Sequence, residues 1–413
     1  MAHYKTFDNG LRLVVKKIDG LMSVSIGVIV KTGSINETES ENGISHFIEH
    51  NLFKGTSKRS AFEISDHIDR IGGQINAFTS KELTCYYTKS TSDHAEEALE
   101  ILSDIFFNSI FDEKEMEKEK GVIVEEINMS EDTPEDICLD LLAESYYGKE
   151  GLGRTILGSA KNVKSFSRKD VLSYMDKYYT ADNVVISIAG NIDEKTAEDL
   201  VYKYFAKNFK RLKSAPQVKT NKTYNNNLIK TKKIEQAHVG FCMPAPSIKD
   251  ERVDALSLSN LILGGGMSSR LFQKVREELG LCYTVYSYVS QYKDSGVIEI
   301  YGGVNTDSRD LAVKEIINVV NEFGKNGITE NEFLRGKEQM KSAFIMGQES
   351  TASQMLLYGK YLLVMEKQFD FKDRIEKIQK LSFDEVNDLI KELYRTDFMA
   401  VATVGPSKKR LKI

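Results

Sequence analysis

The 413-residue chain contains few cysteines, few prolines and no long apolar run. Its four cysteines are scattered, without any pair at the spacing of a metal site or a disulfide framework: Cys85, Cys138, Cys242 and Cys282. No apolar run approaches the ~20 residues that span a bilayer. Residues 1–7 lack an apolar signal core, an arginine-rich transit pattern and a lipidation motif. We therefore expect a protein of the reducing cytoplasm.

The chain also lacks a large excess of either charge. Its 56 Lys and Arg residues nearly balance its 61 Asp and Glu residues, which gives a formal net charge of −5. So mild an excess predicts neither a nucleic-acid partner nor a membrane partner. A hydrophobic content of 41%, a charged content of 28% and five prolines are typical of a globular chain. The length predicts two or more domains.

Histidine is rare as well, yet two of the six histidines stand close together, His46 and His50, with Glu49 between them. Residues four apart on an α-helix have their Cβ atoms roughly 5–6 Å apart on one face. Two imidazoles placed in this way can bind one zinc ion at distances of about 2.0–2.1 Å. Glu49 is placed to act as a base toward a water molecule at the metal. The order His-x-x-Glu-His is the inverzincin signature.

A single helical histidine is usually a structural residue, so the motif needs support from its context. In a chain of this composition the pattern arises by accident with a probability on the order of 0.01, and it is therefore a hypothesis. Ser40 and Glu41 predict the start of a helix, and Gly55 predicts its C-terminal cap. A catalytic zinc site also requires a third protein ligand and a position left for water.

A charged segment at 112–131 is the source of candidates for the third ligand. Its first part, 113–118, is typical of a solvated helix with i,i+4 ion pairs. A short apolar stripe predicts that the following part is packed against the rest of the protein; it consists of Val122, Ile123 and Ile127.

Glu119 and Glu126 lie seven residues apart, about two helical turns, so they share one face. A carboxylate beside an apolar stripe is costly unless it is paired or bound to a metal. Both residues are therefore candidate metal-site residues. Composition alone does not choose between Glu125 and Glu126.

Residues 43–56, GISHFIEHNLFKGT, resemble the active-site helix of the pitrilysin/insulinase family of zinc peptidases, closest to the branch of the mitochondrial processing peptidase β subunit and its bacterial homologues. The resemblance implies that Glu126 is the third zinc ligand and that Glu119 orients the ligands from outside them. Asn51 stands where the family usually has methionine. We expect this departure to change packing rather than to abolish zinc binding.

An internal repeat is visible at an offset of 215 residues. The first copy begins at Ser167 with Asp170 three residues later, and the second begins at Ser382 with Glu385 three residues later. Each start is a capping-box pattern, followed by a helical run and a β-rich run that ends in glycine. The repeat predicts two homologous domains.

The segment 207–233 lies between the repeats and holds nine Lys or Arg residues, one proline and no acidic residue. We interpret it as a solvated linker with some strand at its end rather than as a basic anchor. The predicted boundaries are an N-terminal catalytic domain at 1–210, a basic linker at 211–233 and a C-terminal homologous domain at 234–413. Predicted strands lie at 10–17, 22–32, 83–90, 184–190, 238–243, 284–304 and 398–405.

Alternation of these strands with long helices predicts the α+β class, with two domains that each have a mainly antiparallel sheet packed with helices. The resemblance implies the same architecture, a half-clamshell. Residues 72–87 read as a hairpin or edge strand. The resemblance adds that a substrate backbone binds beside this strand, which makes Asn76 and Ala77 candidate substrate contacts.

The glycine-rich stretch at 264–272 lacks the Lys-Ser/Thr of a P-loop, so a nucleotide site is not expected there. It instead resembles the family's glycine-rich turn before a helix ending at Gly280. Arg276 and Tyr283 match an arginine–tyrosine pair that the family directs at the zinc site. The resemblance implies that Arg276 holds a substrate carbonyl and that Tyr283 donates to the developing oxyanion.

Together these features predict a Zn²⁺-dependent endopeptidase. Larger members of the family that it resembles enclose substrate between two halves of four domains in total, and this chain supplies two. The resemblance therefore implies a dimeric chamber that encloses peptides or unfolded segments. A homodimer is favoured, because the chain carries both the metal motif and the arginine–tyrosine pair. A competing hypothesis is a non-catalytic structural subunit, although such relatives usually lose the ligands or the base. A further hypothesis makes the chain the active half of a heterodimer. The site could also take Mn²⁺ or Co²⁺ in place of zinc.

Overall fold

The computed structural model describes residues 1–209, 216 and 222–411. Its helices and strands are numbered here in chain order. The strands are β1 His3–Thr6, β2 Arg12–Lys17, β3 Ser23–Val30, β4 Gln74–Thr79, β5 Thr84–Thr91, β6 Val184–Gly190, β7 Asn227–Thr231, β8 Gln236–Ala245, β9 Cys282–Gln291, β10 Gly296–Asn305 and β11 Ala400–Gly405. The helices are α1 Ile44–Leu52, α2 Ala61–Arg70, α3 Ala95–Asn108, α4 Glu113–Asp132, α5 Pro134–Tyr147, α6 Ala160–Ser165, α7 Arg168–Tyr178, α8 Glu194–Tyr204, α9 Val253–Gly264, α10 Arg309–Asn326, α11 Glu330–Met346, α12 Thr351–Met365, α13 Phe371–Lys380 and α14 Phe383–Leu393.

The described residues form two compact units, each of which combines segments from both halves of the chain. The first unit draws on Met1–Ile127, Thr155–Lys219 and Ile345–Asp370. The second unit draws on Asn128–Arg154, Thr220–Phe344 and Phe371–Ile413. The units thus differ from the two continuous halves that the sequence predicts, because α5 groups with the second unit and α12 with the first.

The first unit contains a sheet of six described strands in the order β1-β2-β6-β3-β5-β4. The pair β2–β6 is parallel, and the other neighbours are antiparallel. Alternate residues of a strand face opposite sides of its sheet. In β3, Ser25 and Gly27 accordingly contact α12, whereas Val24, Ile26 and Val28 join the main core cluster on the other face. Strand β3 is thus covered on both faces, and its residues are apolar or glycine except for Ser23 and Ser25.

The second unit contains a sheet of five described strands in the order β7-β11-β8-β10-β9. The pair β7–β11 is parallel, and the remaining pairs are antiparallel. Helix α5 packs against β11 and β8. The predicted α+β class, with helix-packed and mainly antiparallel sheets, is confirmed.

Two sequence predictions concern the strands of the second unit. The predicted strand 284–304 is wrong as one strand, because Tyr292 and Ser295 close a turn between β9 and β10. Of the predicted linker 211–233, residues 211–215 and 217–221 lie outside the described residues. Its end forms β7, in agreement with the strand expected there.

The predicted repeat is confirmed in local structure. Ser167 caps α7 and Ser382 caps α14, each in a reciprocal capping box with the acidic residue three positions later. Each helix is followed by an interior strand of its sheet, β6 or β11, which has a neighbour on both sides. Among the described residues, every helix is too short or too polar to cross a bilayer.

Candidate metal and catalytic site

Helix α1 carries the His-x-x-Glu-His motif, and its N-terminus is capped by a buried carboxylate. It begins at Ile44, so the start predicted at Ser40 and Glu41 is wrong. The backbone N–H groups of Gly43 and Ser45 donate to Glu37, at 2.8 and 2.9 Å. A negative charge at this end is favoured by the helix dipole. Gly43 has φ +100°, and a Cβ there would lie 2.7 Å from the Leu157 carbonyl oxygen, so glycine is required.

His46 and His50 lie on one face of α1, as their spacing predicts. Their rings pack edge to face with centroids 4.6 Å apart. Both side chains are largely buried, with 12% and 18% of their surface exposed. The helix therefore brings the two imidazoles together at a site that water can still reach.

Glu126 of α4 completes the group. Its Oε2 lies 3.6 Å from His46 Nε2 and 3.4 Å from His50 Nε2. The neighbouring Glu125 is exposed, so the structure places Glu126 and not Glu125 beside the histidines. The predicted apolar stripe holds at Ile123, which is fully buried, but is wrong at Val122, which is 46% exposed.

The three side chains have the chemistry and spacing of a zinc site. One donor atom from each can be chosen so that all lie within 4.8 Å of one another. Two donors bound tetrahedrally at about 2.0–2.1 Å from zinc lie about 3.4 Å apart. The two imidazole-to-carboxylate separations are close to that value. Two imidazole nitrogens and one carboxylate oxygen form a donor set that suits zinc and leaves a fourth position.

Glu119 holds His50 from the side opposite to Glu126. Its Oε2 lies 3.1 Å from His50 Nδ1, and its Oε1 lies 2.7 Å from Lys54 Nζ. Glu119 is only 6% exposed. Burial opposes ionisation, but the bonds from His50 and Lys54 prevail and lower the pKa of Glu119. An ionised Glu119 accepts the Nδ1 proton of His50 and leaves Nε2 with its lone pair.

Burial and nearby charges shift the pKa values of the two histidines in opposite directions. Burial, together with the nearby charge of His50, lowers the pKa of His46 to about 4. Burial also acts to lower the pKa of His50, but the hydrogen bond to Glu119 and the charges of Glu126 and Glu49 outweigh it and raise that pKa. His46 is therefore neutral at neutral pH and able to donate a lone pair to a metal.

Glu49 is held by strand β4. The Thr79 hydroxyl donates to Glu49 Oε2 at 2.5 Å, and Thr84 lies 3.4 Å beyond it. Burial raises the pKa of Glu49, although the hydrogen bond from Thr79 and the charge of His50 oppose the shift. A carboxylate with a raised pKa is a better proton acceptor near neutral pH than an ordinary one.

Strand β4 is the outermost described strand of its sheet, and α1 contacts it. Asn76 and Ala77 lie on this strand, paired with β5 on one side. The hydrogen bond from Ser80 N to Leu83 O sets the pairing pattern, in which the Ala77 N–H points away from β5. The Asn76 side chain accepts from that N–H at 2.8 Å. Beside α1, the strand thus has an edge of the kind to which an extended peptide can add.

Asn51 turns its side chain back onto α1. Its Nδ2 donates to the Phe47 carbonyl at 2.7 Å, and the residue is 1% exposed. Among the described residues nothing hydrogen-bonds to its Oδ1. The Asn51 amide thus bonds to the helix backbone, and its effect on zinc binding stays a prediction.

Arg276 and Tyr283 belong to the second unit. The predicted helix before Gly280 is a π-helix, Phe272–Glu278, in which Leu279 N donates to Lys274 O. The guanidinium of Arg276 lies over the Phe272 ring at 4.5 Å and over the Tyr283 ring at 5.4 Å. Tyr283 is 78% exposed. The two residues therefore do form a pair, and their catalytic roles stay predictions.

Comparison with known proteins identifies the family. The family model described as "Insulinase (Peptidase family M16)" matches residues 13–160, and that described as "Peptidase M16 inactive domain" matches residues 165–340. The uncharacterized zinc protease YmxG of Bacillus subtilis is 44% identical over 97% of this chain and 98% of its own length. The chain belongs to peptidase family M16. The resemblance to the pitrilysin/insulinase family is thereby confirmed.

Further comparisons find a relative with a similar name and solved structures with a similar fold. An uncharacterized zinc protease of Rickettsia felis is 37% identical over 97% of both chains. A solved protease from Helicobacter pylori has a TM-score of 0.92 at 23% identity and covers 98% of this chain and 99% of its own. A structure described as a peptidase M16 inactive domain, from Pseudomonas fluorescens, has a TM-score of 0.92 at 20% identity, with both chains fully covered. At such identities these structures show the fold alone.

The description "inactive domain" applies to the family model that matches the second part of this M16 chain. The residues 46, 49, 50 and 126 lie in the part that matches the insulinase model. The candidate metal site and the domain described as inactive are therefore different parts of the chain.

Sequence reasoning missed three residues of the site: Glu37, Lys54 and Thr79. Lys54 follows His50 by four positions, a spacing that puts side chains on one helical face and that gave an available signal. Glu37 and Thr79 gave none, because each reaches its partner through the tertiary fold. The contacts of all three are visible only in the structure.

Proposed function

We propose that this M16 protein is a zinc-dependent endopeptidase that hydrolyses peptides or unfolded segments. The observation that carries the proposal is the convergence of His46, His50 and Glu126, beside the partly buried carboxylate Glu49. The names of the M16 relatives support the same reaction class.

His46, His50 and Glu126 would hold the zinc ion. When bound, zinc acts as a Lewis acid that polarises the scissile carbonyl and lowers the pKa of a water molecule. Glu49 accepts a proton from the attacking water as the water oxygen bonds to the carbonyl carbon. Glu49 then delivers that proton to the amide nitrogen as the C–N bond breaks, which releases an amine and a carboxylic acid. Thr79 keeps the Glu49 carboxylate fixed between these two transfers.

The peptide would bind as an added strand on the outer edge of β4. Ala77 offers a backbone N–H at this edge once the Asn76 side chain moves aside. Backbone pairing gives affinity without demanding one side-chain sequence. The family resemblance assigns Arg276 to a substrate carbonyl and Tyr283 to the oxyanion, and we adopt both assignments as part of the proposal.

We also propose a homodimer in which two chains enclose the substrate, because the chain carries both the metal motif and the arginine–tyrosine pair. The scattered cysteines favour the reducing cytoplasm as its location. One chain has a mass of 46.7 kDa, so a homodimer should appear in sedimentation velocity as a species of about twice that mass. Copurification of a second, motif-free homologue would instead indicate a heterodimer.

Two adjacent glutamates provide the test of the metal site. We expect Glu126→Ala to weaken zinc binding by more than a hundredfold, beyond the range for a residue outside the ligand shell. Glu125→Ala is the matched control, because its exposed carboxylate lies next in sequence and should leave zinc affinity unchanged. Competition with a chromogenic chelator measures the dissociation constant for each variant, and hydrolysis of a quenched-peptide mixture measures activity.

Loss of both zinc and cleavage in Glu126→Ala, with both retained in Glu125→Ala, is the expected result. Wild-type protein that binds no zinc and cleaves no peptide would contradict the proposal and favour a non-catalytic subunit. Tighter binding of Mn²⁺ or Co²⁺ than zinc in the same competition would change the metal but not the site.

A further inference from the structure

Lys54 lies just beyond the C-terminus of α1, where its ammonium group contacts Glu119 and not the candidate ligands themselves. The Nζ-to-Oε1 distance is 2.7 Å. The other oxygen of Glu119 lies 3.1 Å from His50 Nδ1. The three side chains therefore form one continuous line from Lys54 through Glu119 to His50.

We infer that Lys54 is a positioning residue that sets zinc affinity by fixing the Glu119 carboxylate against His50. This inference rests on the proposed function, because it assumes that His50 binds the metal. Lys54 is one-third exposed and does not reach the ligand group, so its effect is transmitted through Glu119 alone.

Each oxygen of Glu119 has one basic partner, and this division fixes the carboxylate. Glu119 Oε1 is bound by Lys54 and Oε2 by His50, so rotation about the last side-chain bond would break both contacts. A carboxylate that is 6% exposed loses much when one partner is removed, since little water is available to replace it. Without Lys54, we expect Glu119 to adopt several orientations and to hold the His50 ring less firmly.

The other histidine has no such support in the part of the chain that the structure describes. Nothing among the described residues hydrogen-bonds to the buried Nδ1 of His46. Among the described residues, a hydrogen bond to Nδ1 therefore orients the ring of His50 but not the ring of His46. Partners of this kind change metal affinity by about 10–100-fold when removed. Lys54 is one step further from the metal, so we expect an effect near the lower end, about tenfold.

The test is the zinc dissociation constant of purified protein, measured by competition with a chromogenic chelator. Lys54→Met removes the charge but keeps a long side chain, and it should weaken zinc binding about tenfold. Lys54→Arg keeps a cation for Glu119 and should stay within about threefold of wild type. Lys58→Met is the matched control, because Lys58 also pairs with carboxylates, Glu100 and Asp104, that are not part of the metal site.

A double-mutant cycle tests whether Lys54 acts through Glu119. In a Glu119→Gln background, Lys54→Met should change zinc affinity by less than twofold, because the carboxylate that it orients is gone. Circular dichroism and thermal unfolding of the metal-free proteins establish that each variant is folded. If Lys54→Met does not fold, Lys54→Gln replaces it in the same cycle.

The outcomes separate the inference from the proposed function. Zinc binding by wild type, with affinity unchanged in Lys54→Met, would overturn the inference and leave the function intact. An equal loss of zinc affinity in Lys54→Met and Lys58→Met would also overturn it. So would an undiminished, about tenfold loss of zinc affinity when Lys54→Met is added to Glu119→Gln. Failure of wild type to bind zinc would instead overturn the proposed function.

Discussion

At the scale of single residues, two groups of the candidate site, His50 and Glu49, each have a second polar atom that is already engaged. His50 Nδ1 contacts Glu119, and His50 Nε2 lies beside Glu126, where both atoms can bind one metal ion. Glu49 has one oxygen bound by Thr79, and among the described residues nothing hydrogen-bonds to the other. Such engagement lowers the freedom of each group before substrate arrives, which is the basis of preorganised catalysis.

Asn51 is the residue of α1 that we expect to be improvable. Its buried Oδ1 has no hydrogen-bond partner among the described residues, and asparagine is a poorer helix former than leucine. Asn51→Leu should therefore raise the free energy of unfolding by about 1–2 kcal/mol, measured by urea denaturation, without changing zinc stoichiometry.

The control for Asn51 is Asn128→Leu, at an exposed position within α4. It supplies the gain in helix propensity without relieving a buried polar atom, so a gain of about 0.5 kcal/mol or less is expected. An equal change in the free energy of unfolding for the two substitutions would show that Asn51 Oδ1 has a hydrogen-bond partner in solution.

The sequence allowed His46, Glu49 and His50 to be predicted because one helical turn determines their spacing. Glu126 required more, since the choice against Glu125 depends on which face of α4 meets α1. The family resemblance supplied that choice, and the distances to the two histidines agree with it. Lys54 was available from its spacing, whereas Thr79 contacts Glu49 only because β4 passes beside α1.

At the scale of elements, the N-terminus of α1 depends on a carboxylate outside the helix. Glu37 is 3% exposed and accepts hydrogen bonds from Gly43 N, Ser45 N and the Asn42 side chain. Because these donors are at the end of the helix that holds both histidines, the position of the metal ligands depends on Glu37. A sequence pattern does not reveal such a cap, and for that reason the predicted start at Ser40 is wrong.

We expect Glu37→Ala to lower the free energy of unfolding by about 2–3 kcal/mol, because several donors lose a buried acceptor. Urea denaturation of the metal-free protein measures this change, and chelator competition measures the accompanying loss of zinc affinity. Glu39→Ala is the control, since its side chain is exposed two residues away. A loss in Glu37→Ala no larger than that in Glu39→Ala would contradict the capping role.

At the scale of the whole molecule, the repeat predicts two related domains and the structure has two related sheets. Ser167 and Ser382 mark equivalent helices, and each sheet contains one parallel pair among its described strands, β2–β6 or β7–β11. The grouping of Ile345–Asp370 with the first unit and of Asn128–Arg154 with the second did not follow from the sequence. Which sheet a helix covers is decided by contacts between residues far apart in the chain, and these leave no local pattern.

The central claim is that this M16 protein hydrolyses peptides with Glu49 as the base at a zinc site. The most direct measurement is the rate of cleavage of a quenched-peptide mixture by wild type and Glu49→Gln, each loaded with the same amount of zinc. We predict that both proteins contain equal zinc and that Glu49→Gln cleaves about 10²–10⁴-fold more slowly, because proton transfer has lost its acceptor. Cleavage by Glu49→Gln at the wild-type rate, with zinc bound in both, would contradict the claim.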